Sequence, residues 1–315
     1  MEDAQSWGKK QPWMTGCNFI PSTAINQIEM WQASTWDPVT IDRELGFAQS
    51  IGMRVVRVYL HDLVYEDDPR GMVQRMTEFL HMASARKITT LFVIFDDCWN
   101  PTAELGPQPA PKPSVHNSGW VKSPQLSQRT WPQDFGRLES YVKGLLEAFG
   151  ADPRVWMWDL FNEPANESGE LFGKVFQWGW EARPSQPMTV CDWTPDNVLR
   201  QTAIDSSDVI SFHNYGSVDD LKAQVEYLRQ FERPIVCTEW LARKNNSIPQ
   251  THLAAFKAMH VSCINWGLVR GKTNTIFPWG TEENATEPER WFHDIFWPNG
   301  RPYDQEEVDT FRHLA

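Results

Sequence analysis

Short apolar runs alternate along this chain with segments of helical periodicity, and that alternation limits the fold more than any other feature. The runs have strand length and lie at Gly16–Ile20, Arg54–Leu60, Thr89–Phe95, Val155–Phe161, Met188–Cys191, Val209–His213, Pro234–Thr238 and Val261–Trp266. Between them, Ile41, Leu45 and Ala48 with Phe47 and Ile51 have helical spacing, Thr40 is the expected N-cap and Gly52 the stop. Similar patterns occupy Met72–Arg86, Phe135–Phe149, Leu171–Ala182, Leu221–Phe231 and Leu253–His260. Strands that alternate with helices build a parallel sheet. Eight strands match a closed ring. A doubly wound open sheet has the same alternation but usually begins with a Gly-rich phosphate turn, which is absent here. The expected fold class is α/β, one (β/α)8 TIM barrel, with residues 1–315 as a single catalytic domain.

Two connections are longer than such a barrel needs. Asp96 to Trp131 is rich in proline and carries Trp99 and Trp120. Structureless loops beyond about 12–15 residues are usually lids or binding loops, and the interleaved tryptophans argue against a disordered linker. An insertion after the last strand, Gly267 to Arg290, includes Lys272 and Trp279.

The formal net charge is −12 and no Lys/Arg run stands out, which disfavours nucleic acid and suits a neutral or weakly cationic small substrate. Seventeen tryptophans can fill a large core, but several lie near predicted strand ends or in loops, where flat indole faces suit the apolar side of sugar rings. Five cysteines without CxxC spacing argue against a disulfide framework and a zinc site. The start has no basic region followed by an apolar stretch, and no apolar run approaches the ~20 residues of a membrane span. The expectation is a soluble cytoplasmic protein without a membrane partner, secreted if a leader has been lost.

Trp158 to Pro164 reads Trp-Asp-Leu-Phe-Asn-Glu-Pro, a buried strand that delivers Asn162 and Glu163 at its carboxyl end, with Pro164 blocking further pairing. Pro234 to Trp240 has the same form and ends in Glu239. In barrels, catalytic groups sit at the carboxyl ends of strands. Alternation along a strand places Phe161 and Asp159 below Glu163, and Cys237 and Ile235 below Glu239. Barrel closure brings the fourth and seventh strands across the mouth from each other. Two carboxyl groups ~5–5.5 Å apart are what retaining glycoside hydrolysis requires.

The pairing of Asn162-Glu163-Pro164 with Thr238-Glu239-Trp240 resembles the clan-A glycoside hydrolases, most closely the cellulase-like family-five group, over roughly residues 13 to 297. The resemblance implies Glu163 as acid/base, Glu239 as nucleophile and Asn162 on the sugar 2-hydroxyl. It further implies Arg57 beneath the nucleophile, where a cation keeps a carboxylate ionised. His213 and Tyr215 match a His-x-Tyr at the sixth strand, and Trp266 matches a platform beneath the sugar. Arg57 also has a structural alternative, a pair with Asp159. The mechanism asks for a Glu163 pKa raised by burial and by Glu239, and needs no metal or organic cofactor.

One departure is Asp96-Asp97-Cys98-Trp99-Asn100, where many relatives place a histidine. That acidic pair is open to two readings, a distal sugar subsite or a solvated loop; no third carboxylate or His at ligand spacing supports a metal. Exo-action behind a walled cleft and endo-action in a groove lined by Trp99, Trp120 and Trp279 are both compatible with the sequence. The alternatives to a hydrolase are a transglycosidase with the same residues and a non-catalytic carbohydrate-binding barrel.

Overall fold

A computed structural model describes residues 4–129, 132–193 and 198–315, so Trp131, the expected end of the long loop, lies outside the described residues. The parallel strands are β1 (Thr15–Asn18), β2 (Val55–Tyr59), β3 (Thr89–Asp96), β4 (Val155–Asn162), β5 (Met188–Thr189), β6 (Cys191–Asp192), β7 (Ile210–His213), β8 (Ile235–Glu239) and β9 (Ser262–Trp266). Their order is β5-β4-β3-β2-β1-β9-β8-β7-β6. The two edge strands are halves of one stave, interrupted only at Val190. The first half pairs with β4 through Trp158 and Met188, and the second pairs with β7 through Cys191 and Ser211. The sheet thus closes on itself as an α/β barrel.

The helix Phe135–Phe149 coincides with its sequence pattern, and the others shift by a few residues. Pro38–Ser50 is capped by Asp37, not Thr40: the Asp37 carboxylate accepts the Thr40 N–H, and Pro38 occupies the first turn, where its missing N–H costs nothing. The helices Arg200–Ser206 and Gln305–Leu314 were not among the expected ones. Among the described residues, no helix is long and apolar enough to cross a membrane.

Two apolar layers result. Val55, Leu91, Val93, Met157, Val236 and Ile264 fill the barrel, while a larger shell joins the outer strand faces to the helices. Alternation is clean on β2, where Val55, Arg57 and Tyr59 point inward. It fails at the tops of β3, β4 and β8. Ile94 with Phe95, and Leu160 with Phe161, are neighbouring pairs that both pack outward. Asp96 and Asn162 therefore return inward side by side, in register with each other. Cys237 also packs in the outer shell, and the ladder between β7 and β8 shifts just beyond it, pairing His213 with Glu239. The expected placement of Phe161 below Glu163 and Cys237 below Glu239 is thus corrected. Broken alternation at the tops of β3 and β4, and a register shift at the top of β7 and β8, re-aim the strand tips in a way strict period-two counting misses.

Candidate active site

Arg57 is the centre of the barrel mouth and is fully buried. Its guanidinium donates to Asp159 Oδ2 at 2.7 and 3.1 Å, to Asn162 Oδ1 at 2.7 Å, to Asn18 Oδ1 at 2.8 Å and to Glu239 Oε1 at 2.9 Å. Both readings of Arg57 describe it: it pairs with Asp159 below and reaches Glu239 above. A planar five-donor fork can serve several acceptors at once, which a lysine could not.

Glu239 ends β8 and is 5 % exposed. Tyr59 Oη donates to its Oε1 at 2.8 Å, and Tyr215 Oη to its Oε2 at 2.7 Å. Both hydroxyls are pushed well above the ordinary phenol range, by burial first and then by the Glu239 charge, so both remain donors. Tyr59 was missed in the sequence. The available signal was its position two residues after Arg57, which puts both on one strand face.

Glu163 follows β4 in the left-handed region, φ 42°, an uncommon conformation for a side chain of its size. Its Oε1 lies 2.7 Å from His213 Nδ1, and the Cys98 thiol donates to its Oε2 at 3.3 Å. Burial pushes the Glu163 carboxyl up, but the hydrogen bond and charge of His213 bring it below the ordinary glutamate value. Burial pulls His213 down, yet the Glu239 charge and the Cys191 and Glu163 contacts lift it well above an ordinary imidazole. The expected upward shift of Glu163 is therefore reversed, because His213, the Cys98 thiol and the Arg57 charge together outweigh desolvation.

An oxygen of Glu163, an oxygen of Glu239 and a ring nitrogen of His213 all lie within 4.8 Å of one another. Such a trio has metal-binding atom types, but each atom is engaged by a neighbour, and the Arg57 guanidinium stands against Glu239. That donor set is poorly suited to a cation. Its carboxyl groups can instead hold a proton on one side and present a nucleophilic oxygen on the other.

A cavity of about 280 Å³ opens above the pair, lined by Cys98, Trp99, His116, Asn117, Asn162, Glu163, Tyr215, Glu239, Trp266 and Trp279. Asn162 reaches it with an amide already held by Arg57 and Asp96. Trp99 and Trp279 are 44 % and 41 % exposed at its rim. Trp120 is not: it is 2 % exposed, packs edge-on to Trp266 and Tyr59, and donates its indole N–H to Asp96 at 2.6 Å. That buried hydrogen bond draws the ring beneath the groove it was expected to line.

The acidic pair after β3 fits neither reading given to it. Asp96 also accepts from Gln27, Asn162 and the Cys98 N–H, and burial lifts its carboxyl to about 6. Asp97 pairs with Arg129 and Lys122 and accepts from Ala165 N and Ser168 Oγ. Both are buried structural anchors for the long loop.

No family model and no curated protein matches this chain. Solved structures do. The endo-β-1,4-mannanase of Thermotoga petrophila is 12 % identical with a TM-score of 0.64, over 98 % of this chain and 77 % of that one. The exo-β-1,4-mannosidase of Opitutaceae bacterium strain TAV5 is 16 % identical with a TM-score of 0.65, over 96 % of this chain and 59 % of that one. The GH5_18 protein of Streptomyces cattleya, solved with GlcNAc, is 11 % identical with a TM-score of 0.61, over 96 % of this chain and 80 % of that one. At these identities the likeness is one of fold: the chain has the (β/α)8 barrel seen in those glycoside hydrolases, as its strand-end motifs implied.

Proposed function

We propose that this barrel is a retaining β-glycoside hydrolase acting on β-linked oligo- or polysaccharides, with Glu163 as acid/base and Glu239 as nucleophile in one catalytic domain. The observation that carries the proposal is the approach of the two carboxyl groups at opposing strand ends, with oxygens within 4.8 Å. That spacing suits direct attack on the sugar and leaves no room for the interposed water of an inverting enzyme, whose carboxyls stand ~6.5–9.5 Å apart.

In the first step a Glu239 oxygen bonds to the anomeric carbon as the bond to the leaving oxygen breaks. The leaving oxygen takes its proton from Glu163, which is resupplied by His213 across their 2.7 Å hydrogen bond. Arg57, Tyr59 and Tyr215 orient the Glu239 carboxylate for attack. Asn162 binds the 2-hydroxyl, Trp266 supports the ring, and Trp99 contacts the sugar at the rim. In the second step water attacks the anomeric carbon, the ester bond to Glu239 breaks, and the water proton returns to the Glu163–His213 pair. One residue thus acts as acid and then as base.

The test is hydrolysis of aryl β-glycosides followed by NMR of the first-formed anomer. A β-anomer product, abolished in Glu239→Ala, is expected. An α-anomer product, or full activity in Glu239→Ala, rejects the mechanism.

A further inference from the structure

The loops after β3 and β9 are knitted together over one side of the barrel mouth. Asn117 N donates to Thr273 O at 2.8 Å, His116 Nδ1 sits 2.7 Å from Phe277 O, and Ser114 Oγ donates to Glu282 O at 2.7 Å. Both loops are also tied to the helix region Asn26–Trp31 that follows β1. Asn26 Nδ2 donates to Gly119 O at 2.9 Å, and Lys272 Nζ pairs with Glu29 at 2.6 Å. In the ring, β2 and β1 lie between β3 and β9, so the knitted loops cover the β1–β2 side. Among the described residues, the connections after β4, β7 and β8 on the opposite side are short, spanning 163–168, 214–217 and 240–248.

This asymmetry has a direction relative to the bond being cleaved. The leaving group must emerge beside the proton donor Glu163, on β4. Sugar units on the other side of the bond must then run from Glu239, on β8, towards β9, β1 and β2, which is where the knitted loops stand. We infer that these loops make the cleft a blind pocket, with His116 and Asn117 reading the terminal sugar, so that the protein removes single sugars from non-reducing ends. The inference rests on the hydrolase reading above.

The wall is chemically built for a sugar. The Phe277 carbonyl can only accept, so His116 donates from Nδ1 and carries its lone pair on Nε2. Burial holds this imidazole at about 4, which keeps it neutral. Asn117 is 1 % exposed, lines the same cavity, and its Oδ1 has no partner among the described residues. A buried acceptor without a partner is costly unless a ligand hydroxyl fills it. Trp99 and Trp279 flank His116 at centroid distances of 5.4 and 6.4 Å, adding flat apolar faces. The cavity volume, about 280 Å³, is at the small end of small-molecule sites, ~300–1,000 Å³.

The experiment uses the full chain with 4-nitrophenyl β-glycosides and with β-1,4-linked mannose, glucose and xylose pentaoligosaccharides labelled at the reducing end. Early products resolved by length are expected to be a monosaccharide and the labelled chain one unit shorter. Labelled fragments of mixed internal length at the earliest times overturn the blind pocket while leaving the hydrolase reading intact. No turnover of any probe overturns the hydrolase reading, and this inference with it. His116→Ala, verified as folded by an unchanged thermal midpoint, is expected to raise KM about tenfold with kcat nearly unchanged. An unchanged KM in that folded variant removes His116 from the wall.

Discussion

His213 Nδ1 and Glu163 Oε1 stand 2.7 Å apart at the barrel mouth, a distance at which one proton can serve both groups. Because Glu239 Oε2 is also 3.5 Å from the same nitrogen, the imidazolium is held between two carboxylates.

Under the proposed mechanism, the raised His213 pKa predicts an alkaline limb of activity well above the ordinary imidazole value of 6.5. The signs for stability follow. The His213 contribution is complete below the unfolded histidine value and is lost as pH rises through its folded value. The Glu163 contribution, with a lowered pKa, is present above the unfolded glutamate value of 4.5 and is lost as pH falls through its folded value. His213→Ala removes a charged hydrogen bond of ~1.5–3 kcal/mol, which predicts a kcat loss of about 10–100-fold. It also shifts the alkaline limb, since Glu163 then carries the acidic proton by itself. A pH–rate profile checks both, and an unmoved limb in the variant rejects the shared-proton account.

Arg57 compensates two buried acids at once, Asp159 and Glu239. Arg57→Met leaves those charges unpaired in the barrel, and breaking a buried pair in this way costs ~3–5 kcal/mol. Adding Asp159→Asn should recover part of that loss, because one orphaned charge is removed. Urea unfolding of the two single variants and the double variant measures the coupling. Strict additivity contradicts the pairing.

Tyr59→Phe deletes one hydroxyl donor to Glu239 Oε1 and leaves the ring packing against Trp120 and Trp266 intact. A hydrogen bond to a charged group is worth ~1.5–3 kcal/mol, so kcat/KM for an aryl β-glycoside should fall about 10–100-fold without a change in thermal midpoint. Kinetics equal to the parent protein would show that Arg57 and Tyr215 suffice to orient the carboxylate.

Asp294 is buried beneath the loop after β9, bonded to Thr275 Oγ1, and burial raises its carboxyl from 3.8 to about 6. Its neutral form is favoured by folding, so it lowers stability as pH rises from about 4 to about 6, by ~2–3 kcal/mol in total. Asp294→Asn should flatten that part of the stability curve. Denaturant midpoints between pH 4 and 7 give the slope, and an unchanged slope removes Asp294 as its source.

The barrel was legible because its signals are local. Apolar runs, helical spacing and the polar stops at Asn162-Glu163-Pro164 and Glu239 are written within single segments, and each segment reaches the element its own pattern implies. What tertiary structure alone decided are relations between segments far apart in the chain. Ring closure through the split stave at Val190, the broken alternation at Phe95 and Phe161, and the register shift just beyond Cys237 depend on how neighbouring strands meet. The same holds for Trp120 buried on Asp96 and for Asp97 spent on Arg129, since a polar pair looks alike in a loop or a core until its partners arrive. The downward shift of Glu163 comes chiefly from His213, 50 residues away, with Cys98 and Arg57, against the upward push of burial. Residue types and periods are carried by sequence, whereas charge balance, register and loop contacts exist only once distant segments share one desolvated space.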